Sequence, residues 1–409
     1  MVPAGSNRDG DDSFRFEYDP AVLRYGVDAV AELGDELDAQ GFERALVVCG
    51  STVGNTPAVI DPVREGLGDR LGDVFAETTP AKTLSTAYDA LEAMERADAD
   101  VLVSLGGGSS LDVAKVTSVL AADDREPAAV GRELAETGTV SIPDGMLAPI
   151  VAVPTTLAGA DLSMVAGVTA SPDEERGLVD QQVSGGVGDP RLMPRAVVYD
   201  PTLVATTPER ILAGSAMNGF DKGIETLYAG NATPVTDATA ARGLGLMREG
   251  LLRLGEDGVD ADALKPVLKG LVLVQYGISR PGEGTLSLIH AFGHGLTRTY
   301  GVQQGDAHAV VAPHVLRYLF EKVEGRRDLL ADALGAEDAK DTGAAVVERV
   351  AAVRDALDLP TRLRDVDGPD REELSNVAED VLADSFVANG PANLDATAEE
   401  IERVLDEAW

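Results

Sequence analysis

Between Val27 and Pro201, short apolar runs alternate with stretches whose apolar residues recur every three or four positions. "VDAVAELGDELDAQGF" (27–42), "VIDPVREGLGDRL" (59–71) and "LSTAYDALEAMERAD" (84–98) have helical period. "RALVVCG" (44–50), "DVFAE" (73–77), "DVLVSLG" (100–106), "APIVAVP" (148–154) and "PRAVVYDP" (194–201) read as strands. Strand–helix alternation predicts parallel pairing and a doubly wound α/β sheet. After Pro208 only helical period remains, in segments 208–230, 236–255, 286–296, 307–323, 344–357 and 395–409. The last begins with a capping box, Thr397 to Glu400. The pattern thus predicts a flexible N-terminus over 1–15, an α/β domain over 16–204 and an all-α domain over 205–409.

One strand end carries a chemical signal. "VLVSLGGGSSLDVAK" is a buried strand, three glycines and a helix start. Gly106, Gly107 and Gly108 let the backbone approach a ligand, and Ser109 and Ser110 can cap the helix. Its first amides make an anion site suited to a pyrophosphate. The bland alternative is an unliganded tight turn. A second loop, "VAVPTTLAGADLS", presents Thr155 and Thr156 at another strand's carboxyl end, where ligands bind in such sheets.

Composition narrows the partners. The formal charge of −36 is dispersed along the chain. It argues against nucleic acid and anionic membrane as partners and reads as adaptation to a salty cytoplasm. The single cysteine, Cys49, excludes an internal disulfide and lies in an apolar run, as a buried core thiol would. The polar first residues lack a signal-peptide core, and no apolar run is long enough to span a bilayer, so a cytoplasmic location is expected.

The order and spacing of "GGGSSLDVAK", "PTT", "YDP" and "HAFGH…PHVLRY" resemble the iron-containing alcohol dehydrogenase superfamily over nearly the whole chain. "PTTLAGADLSMVAGVT", "SAMNGFDKGIETLYA" and "HAVVAPH" are most similar to its maleylacetate reductase branch. The resemblance implies a dinucleotide-binding α/β domain, a helical domain and an active site in the cleft between them. It implies a pyrophosphate held by Gly106, Gly107, Gly108 and Ser109, with Gly50, Asp112, Thr155 and Thr156 completing the cofactor site. Members that prefer NAD tend to carry an acidic residue where this chain has Gly50, so NADP is permitted as well as NAD. A homodimer is expected from the same resemblance.

All four histidines, His290, His294, His308 and His314, lie within one short stretch. Metal-using members of the superfamily bind a divalent ion through Asp, His, His and His. Those positions fall here on Asn218, Lys222, His290 and Gln304. Neutral amides are weak ligands for such an ion and an ammonium repels it, so a bound metal is not expected. Asp221, His294 and His308 are the possible substitutes in a rewired site.

Lys222 puts a positive charge where metal-using members put a cation, and could stabilise the oxyanion that forms on hydride addition. The bland reading makes it a surface lysine paired with Asp221 or Glu225. His290 and His294 share a helix face, and His308 could face the substrate; each could equally be a hydrogen-bonded core histidine. His314 reads as structural. Arg191, Arg195 and Arg298 are candidate carboxylate partners by residue type alone.

The leading expectation is a metal-independent NAD(P)H-dependent reductase of a small carbonyl compound or oxo acid. The rivals are a metal-dependent alcohol dehydrogenase with a rearranged site, a cyclase or lyase related to dehydroquinate synthase, and an inactive nucleotide-binding relative.

Overall fold

The computed structural model describes residues 14, 16–18, 21–173 and 175–409. The flexibility expected of residues 1–15 therefore lies outside the described residues, Phe14 excepted. Eight strands are seen among the described residues: β1 (Val22–Tyr25), β2 (Ala45–Gly50), β3 (Leu71–Thr78), β4 (Val101–Gly106), β5 (Ile150–Pro154), β6 (Val165–Ala170), β7 (Val183–Gly188) and β8 (Ala196–Tyr199). Six form a sheet in the order β1-β8-β5-β4-β2-β3, and every pairing in it is parallel. From β2 the chain moves outward to β3 and then crosses back to β4 on the other side. The order reverses between β2 and β4, and the crevice beyond their carboxyl ends is where open sheets bind ligands. Gly50 and Gly106 end these two strands.

The strands are apolar because both faces are covered. Ala45, Val47 and Cys49 of β2 face one core with Leu33, Leu37 and Val63. Leu46 and Val48 face the other, which continues without a break into the helical half through Leu157, Phe220 and Leu271. Cys49 is fully buried, and burial pushes its thiol up to about 11, as a core thiol requires.

Past Tyr199 the described chain contains no further strand. The predicted helices appear as Glu209–Tyr228, Pro234–Asp257, Leu288–Tyr300, Gln304–Lys322, Thr342–Ala356 and Ala398–Ala408, the last with both halves of its capping box. The first predicted helix is shorter than its apolar pattern. A 3-10 turn fills Ala29–Glu32, and the α-helix is Leu33–Gln40.

Several elements escaped the pattern, among them β1 and helices Arg327–Ala333 and Leu374–Ala383. Helix Pro127–Thr137 is short, and β6 and β7 form a separate antiparallel ribbon whose second strand reads "VSGGVG". Helix Ala261–Ile278 is largely apolar and buries Leu264, Val267, Leu268, Leu271 and Val274 in the core, with Asp262 and Lys269 exposed. A Cβ added to its Gly270 would lie 2.4 Å from the Gly243 carbonyl oxygen, so two helix backbones touch there. No helix among the described residues is long and apolar enough to cross a membrane.

Candidate active site

β4 ends at Gly106, whose φ of +132° suits glycine and few other residues. Gly107 caps helix Gly108–Leu120, whose first amides have no acceptor inside the helix. The Thr155 amide donates to the Gly106 carbonyl at 3.0 Å, which sets the threonine loop beside the glycine turn. A Cβ on Gly107 would stand 3.1 Å from the Thr156 Cγ2, whereas one on Gly108 would meet nothing nearer than Ala160 Cβ at 3.6 Å. Ser109 is half-exposed, while Ser110 is buried with its Oγ 3.1 Å from Thr78 Oγ1. The turn is thus a shallow backbone cradle at the switch point, which fits a dinucleotide pyrophosphate.

The other cofactor candidates divide. Gly50 lines the crevice, and a side chain there would press on the Thr78 carbonyl at 3.2 Å. Thr156 is half-buried against Gly107; Thr155 is buried, and its carbonyl accepts from Thr207 Oγ1 at 2.6 Å. Asp112 lies one turn along the helix and is committed to the protein. Its carboxylate pairs with Lys82 at 2.8 Å and accepts from the Gly167 amide at 3.3 Å.

Helix Glu209–Tyr228 packs directly on the threonine loop. A Cβ on its Gly219 would lie 2.2 Å from the Leu157 carbonyl oxygen, and the Leu157 amide donates to Ser215 Oγ at 3.0 Å. One turn on, Lys222 Nζ donates to the Gly159 carbonyl at 2.6 Å. Lys222 is 8% exposed, which overturns the reading of a surface lysine. The far end of the same loop is held by Lys115, whose Nζ donates to the Ser163 carbonyl at 2.6 Å and to Ser163 Oγ at 2.8 Å. Asp161 lies buried between the two lysines and accepts from the Tyr199 hydroxyl at 3.2 Å. Burial brings the Lys222 ammonium down to about 8, with Asp161, Glu225 and Asp112 holding against it. Burial lifts the Asp161 carboxyl to about 6, opposed first by Lys222.

His290 stands across from this helix. Its Nδ1 is 2.6 Å from Glu225 Oε2 and its Nε2 is 3.1 Å from Asn218 Oδ1. Glu225 also accepts from the amides of Ser287 (2.9 Å) and His290 (3.0 Å) and from the Tyr228 hydroxyl (3.2 Å). Burial pushes the Glu225 carboxyl up to about 7, against the pull of the two amides. Burial also takes the His290 imidazole well below the usual histidine range, and the Lys222 ammonium adds to this.

Of the remaining histidines, only His308 touches His290. His308 is fully buried, with its ring 4.4 Å from that of His290 and its Nδ1 3.3 Å from Asp221 Oδ2. It therefore packs behind His290 in the protein interior. His294 has its Nδ1 2.8 Å from Asp384 Oδ2, and Arg298 joins the same carboxylate at 2.9 Å. His314 is near Arg317, away from the other three, and burial lowers its imidazole to about 4.

Of the arginines, Arg191 is occupied by Asp189 and by the carbonyls of Pro143 and Gly145. Arg195 is exposed on the α/β half, and Arg298 is tied to Asp384. None presents an unengaged guanidinium to Lys222 or His290.

Asn218, Lys222 and His290 come together as the sequence positions imply, whereas Gln304 is half-buried at the first residue of its helix. Two amides, an ammonium and one imidazole are a poor donor set for a divalent cation. Of the possible substitutes, His294 is bonded to Asp384, while Asp221 and His308 face each other at 3.3 Å without a hydrogen bond, and no three His, Cys, Asp or Glu side chains among the described residues converge as a metal site would require.

Comparison with known proteins places this geometry. Residues 20–201 match the family described as Iron-containing alcohol dehydrogenase, and residues 212–409 match Fe-containing alcohol dehydrogenase family, C-terminal. The chain belongs to the iron-containing alcohol dehydrogenase family. It is 29% identical to a maleylacetate reductase of Pseudomonas aeruginosa over 94% of this chain and 95% of that protein. It is 27% identical to a lactaldehyde reductase of Escherichia coli, over 94% and 97% respectively. A solved maleylacetate reductase from Agrobacterium tumefaciens superposes with a TM-score of 0.77 at 24% identity, covering 97% of this chain and 98% of that one. The resemblance to the family, and to its maleylacetate reductase branch, is thus borne out, and so is the fold.

Glu225, Lys115, Asp161 and Asp384 were not singled out as site residues from the sequence. Lys115 sat in plain view in the glycine motif, and Glu225 follows Lys222 by three residues on one helix. Neither spacing says what the side chain meets.

Proposed function

We propose that the protein is a metal-independent, NAD(P)H-dependent reductase of a small carbonyl compound, with an oxo acid as the favoured class. The observation that carries this reading is the 2.6 Å bond from Lys222 to Gly159, which brings a buried cation to the loop that borders the glycine turn. Bound in that crevice, the nicotinamide supplies the hydride. The absence of a carboxylate at Gly50 leaves room electrostatically for a 2'-phosphate and supports NADP.

Lys222 stabilises negative charge developing on the substrate oxygen, an effect strengthened by its dry surroundings. His290 Nε2, beside Asn218, exchanges the proton that turns this oxygen into a hydroxyl. The maleylacetate reductase and lactaldehyde reductase among its relatives support carbonyl reduction.

The test is NADPH and NADH oxidation with a carbonyl panel that includes maleylacetate and lactaldehyde, before and after exhaustive chelation. The expected result is turnover that chelation leaves intact. Loss on chelation with recovery on adding iron, zinc or manganese would replace the metal-free mechanism with a rearranged metal site. No oxidation with any carbonyl would remove the reductase reading.

A further inference from the structure

We infer that Glu225 is a positioning residue that keeps a proton on His290 Nδ1, so that Nε2 is the nitrogen that gains and loses the catalytic proton. For its catalytic meaning the inference rests on the reductase reading above; its structural content does not.

The argument begins with the acceptors. Glu225 receives the Ser287 amide at Oε2 and both the His290 amide and the Tyr228 hydroxyl at Oε1. Three donors converge on this carboxyl before the imidazole is counted, and a carboxylate is the form that only accepts. The His290 ring then meets Oε2 at 2.6 Å, a distance typical of a charge-assisted N–H···O bond. A proton on Nδ1 completes this set. A bare Nδ1 would need an O–H on Oε2, whose lone pairs already receive a backbone amide.

The same amides fix the ring in place. The carboxylate binds the backbone and the ring of His290 together, and it is fully buried. The backbone amides hold the carboxylate in place, so the imidazole cannot swing without losing its bonds to Glu225 and Asn218. A carboxylate that orients a histidine and sets its tautomer is a recurring device.

Nε2 faces Asn218, and here an amide differs from a carboxylate. Asn218 can donate from Nδ2 to a bare Nε2 or accept at Oδ1 from a protonated one, and the two orientations are related by a flip. It thus serves both states of a nitrogen whose proton comes and goes. In the reducing direction the neutral ring relays a proton: Nε2 takes one up from water and passes it to the substrate oxygen as the substrate carbon gains hydride, and the ring returns to its neutral, Nδ1-protonated form. In the oxidising direction the alcohol proton returns to Nε2. The Nδ1 proton stays on Nδ1, donated to Glu225, throughout.

With only four histidines, the 409-residue chain labelled with 15N-histidine gives a readable long-range proton–nitrogen spectrum. The His290 signals are those lost in His290→Asn. The expected wild-type pattern is a protonated Nδ1 with Nε2 bare or exchanging, and an altered tautomer in Glu225→Gln. Single-turnover hydride transfer in Glu225→Gln should fall about 10²–10⁴-fold, with NADPH affinity held and Glu225→Asp recovering part of the rate. A wild-type His290 with bare Nδ1 and protonated Nε2 overturns the inference, even if Glu225→Gln does not fold. An unchanged tautomer in a folded Glu225→Gln overturns it as well. Should the tautomer be as expected while no carbonyl is reduced, the positioning of His290 stands and the reductase reading falls.

Discussion

Lys222 is the residue whose environment differs most from what its type suggests. A charged amine that is 8% exposed must be compensated, and Asp161, Glu225 and Asp112 supply the field that keeps it protonated. Lys222→Ala should lower single-turnover hydride transfer by about 10²–10³ while leaving NADPH affinity near wild type. Equal rates in a folded variant would reduce the ammonium to a strut for Gly159. The pH dependence has a definite sign. Burial lowers the ammonium to about 8, so the charged form is present below that value and lost above it. The reduction rate should therefore hold at lower pH and decline as pH climbs through about 8, and Lys222→Ala should lose that limb of the profile. Lys115 is a second buried ammonium, on the far end of the same loop, and its own burial brings it down to about 8, so the profile of Lys222→Ala is needed to separate the two.

At the scale of elements, two backbone contacts define the site. The first is the glycine turn after β4. Gly107→Val would set a branched side chain against Thr156 and across the first helix amides, and NADPH binding should be lost. Gly108→Ala has room within the protein, so it should melt like wild type and still bind NADPH more weakly. Undiminished affinity in both variants, measured by fluorescence titration, would move the pyrophosphate elsewhere. The second contact is Gly219 on Leu157, where helix and loop backbones meet. A methyl group 2.2 Å from a carbonyl oxygen forces the helix away, so Gly219→Ala should cost about 1–3 kcal/mol in denaturant unfolding. It should also lower turnover, because the displaced helix carries Asn218, Lys222 and Glu225. Wild-type stability in that variant would mean that helix and loop can part freely.

For the whole molecule, the charge of −36 dominates. Many acidic side chains repel one another across a folded surface, and salt shortens the reach of that repulsion from about 10 Å at 0.1 M to about 3 Å at 1 M. We expect the melting temperature to rise as potassium chloride increases through that range. Scanning calorimetry at several salt concentrations checks this, and a melting temperature indifferent to salt would leave the acidic surface without this role. The site itself is insulated from the effect, since Lys222, Glu225 and His290 are buried and their mutual distances are set by backbone hydrogen bonds.

The sequence by itself determined the alternation of buried strands and amphipathic helices, the change to helices alone after the last strand, and the glycine turn, because each is written in local periodicity or in a residue's own backbone freedom. It also brought Asn218, Lys222 and His290 to attention through the spacing they share with a family. It missed helix Ala261–Ile278, whose long apolar run is interrupted by Pro266 and by few polar residues, and the β6–β7 ribbon, since a glycine-rich strand has little pattern at all. Only the tertiary structure decided what each functional group touches. Glu225 and His290 are 65 residues apart and meet at 2.6 Å; Lys222 and Gly159 are 63 apart and meet at 2.6 Å. Partnerships of that range depend on how whole helices pack, and in a dry interior those partners set whether a lysine is a cation and which nitrogen of a histidine carries the proton.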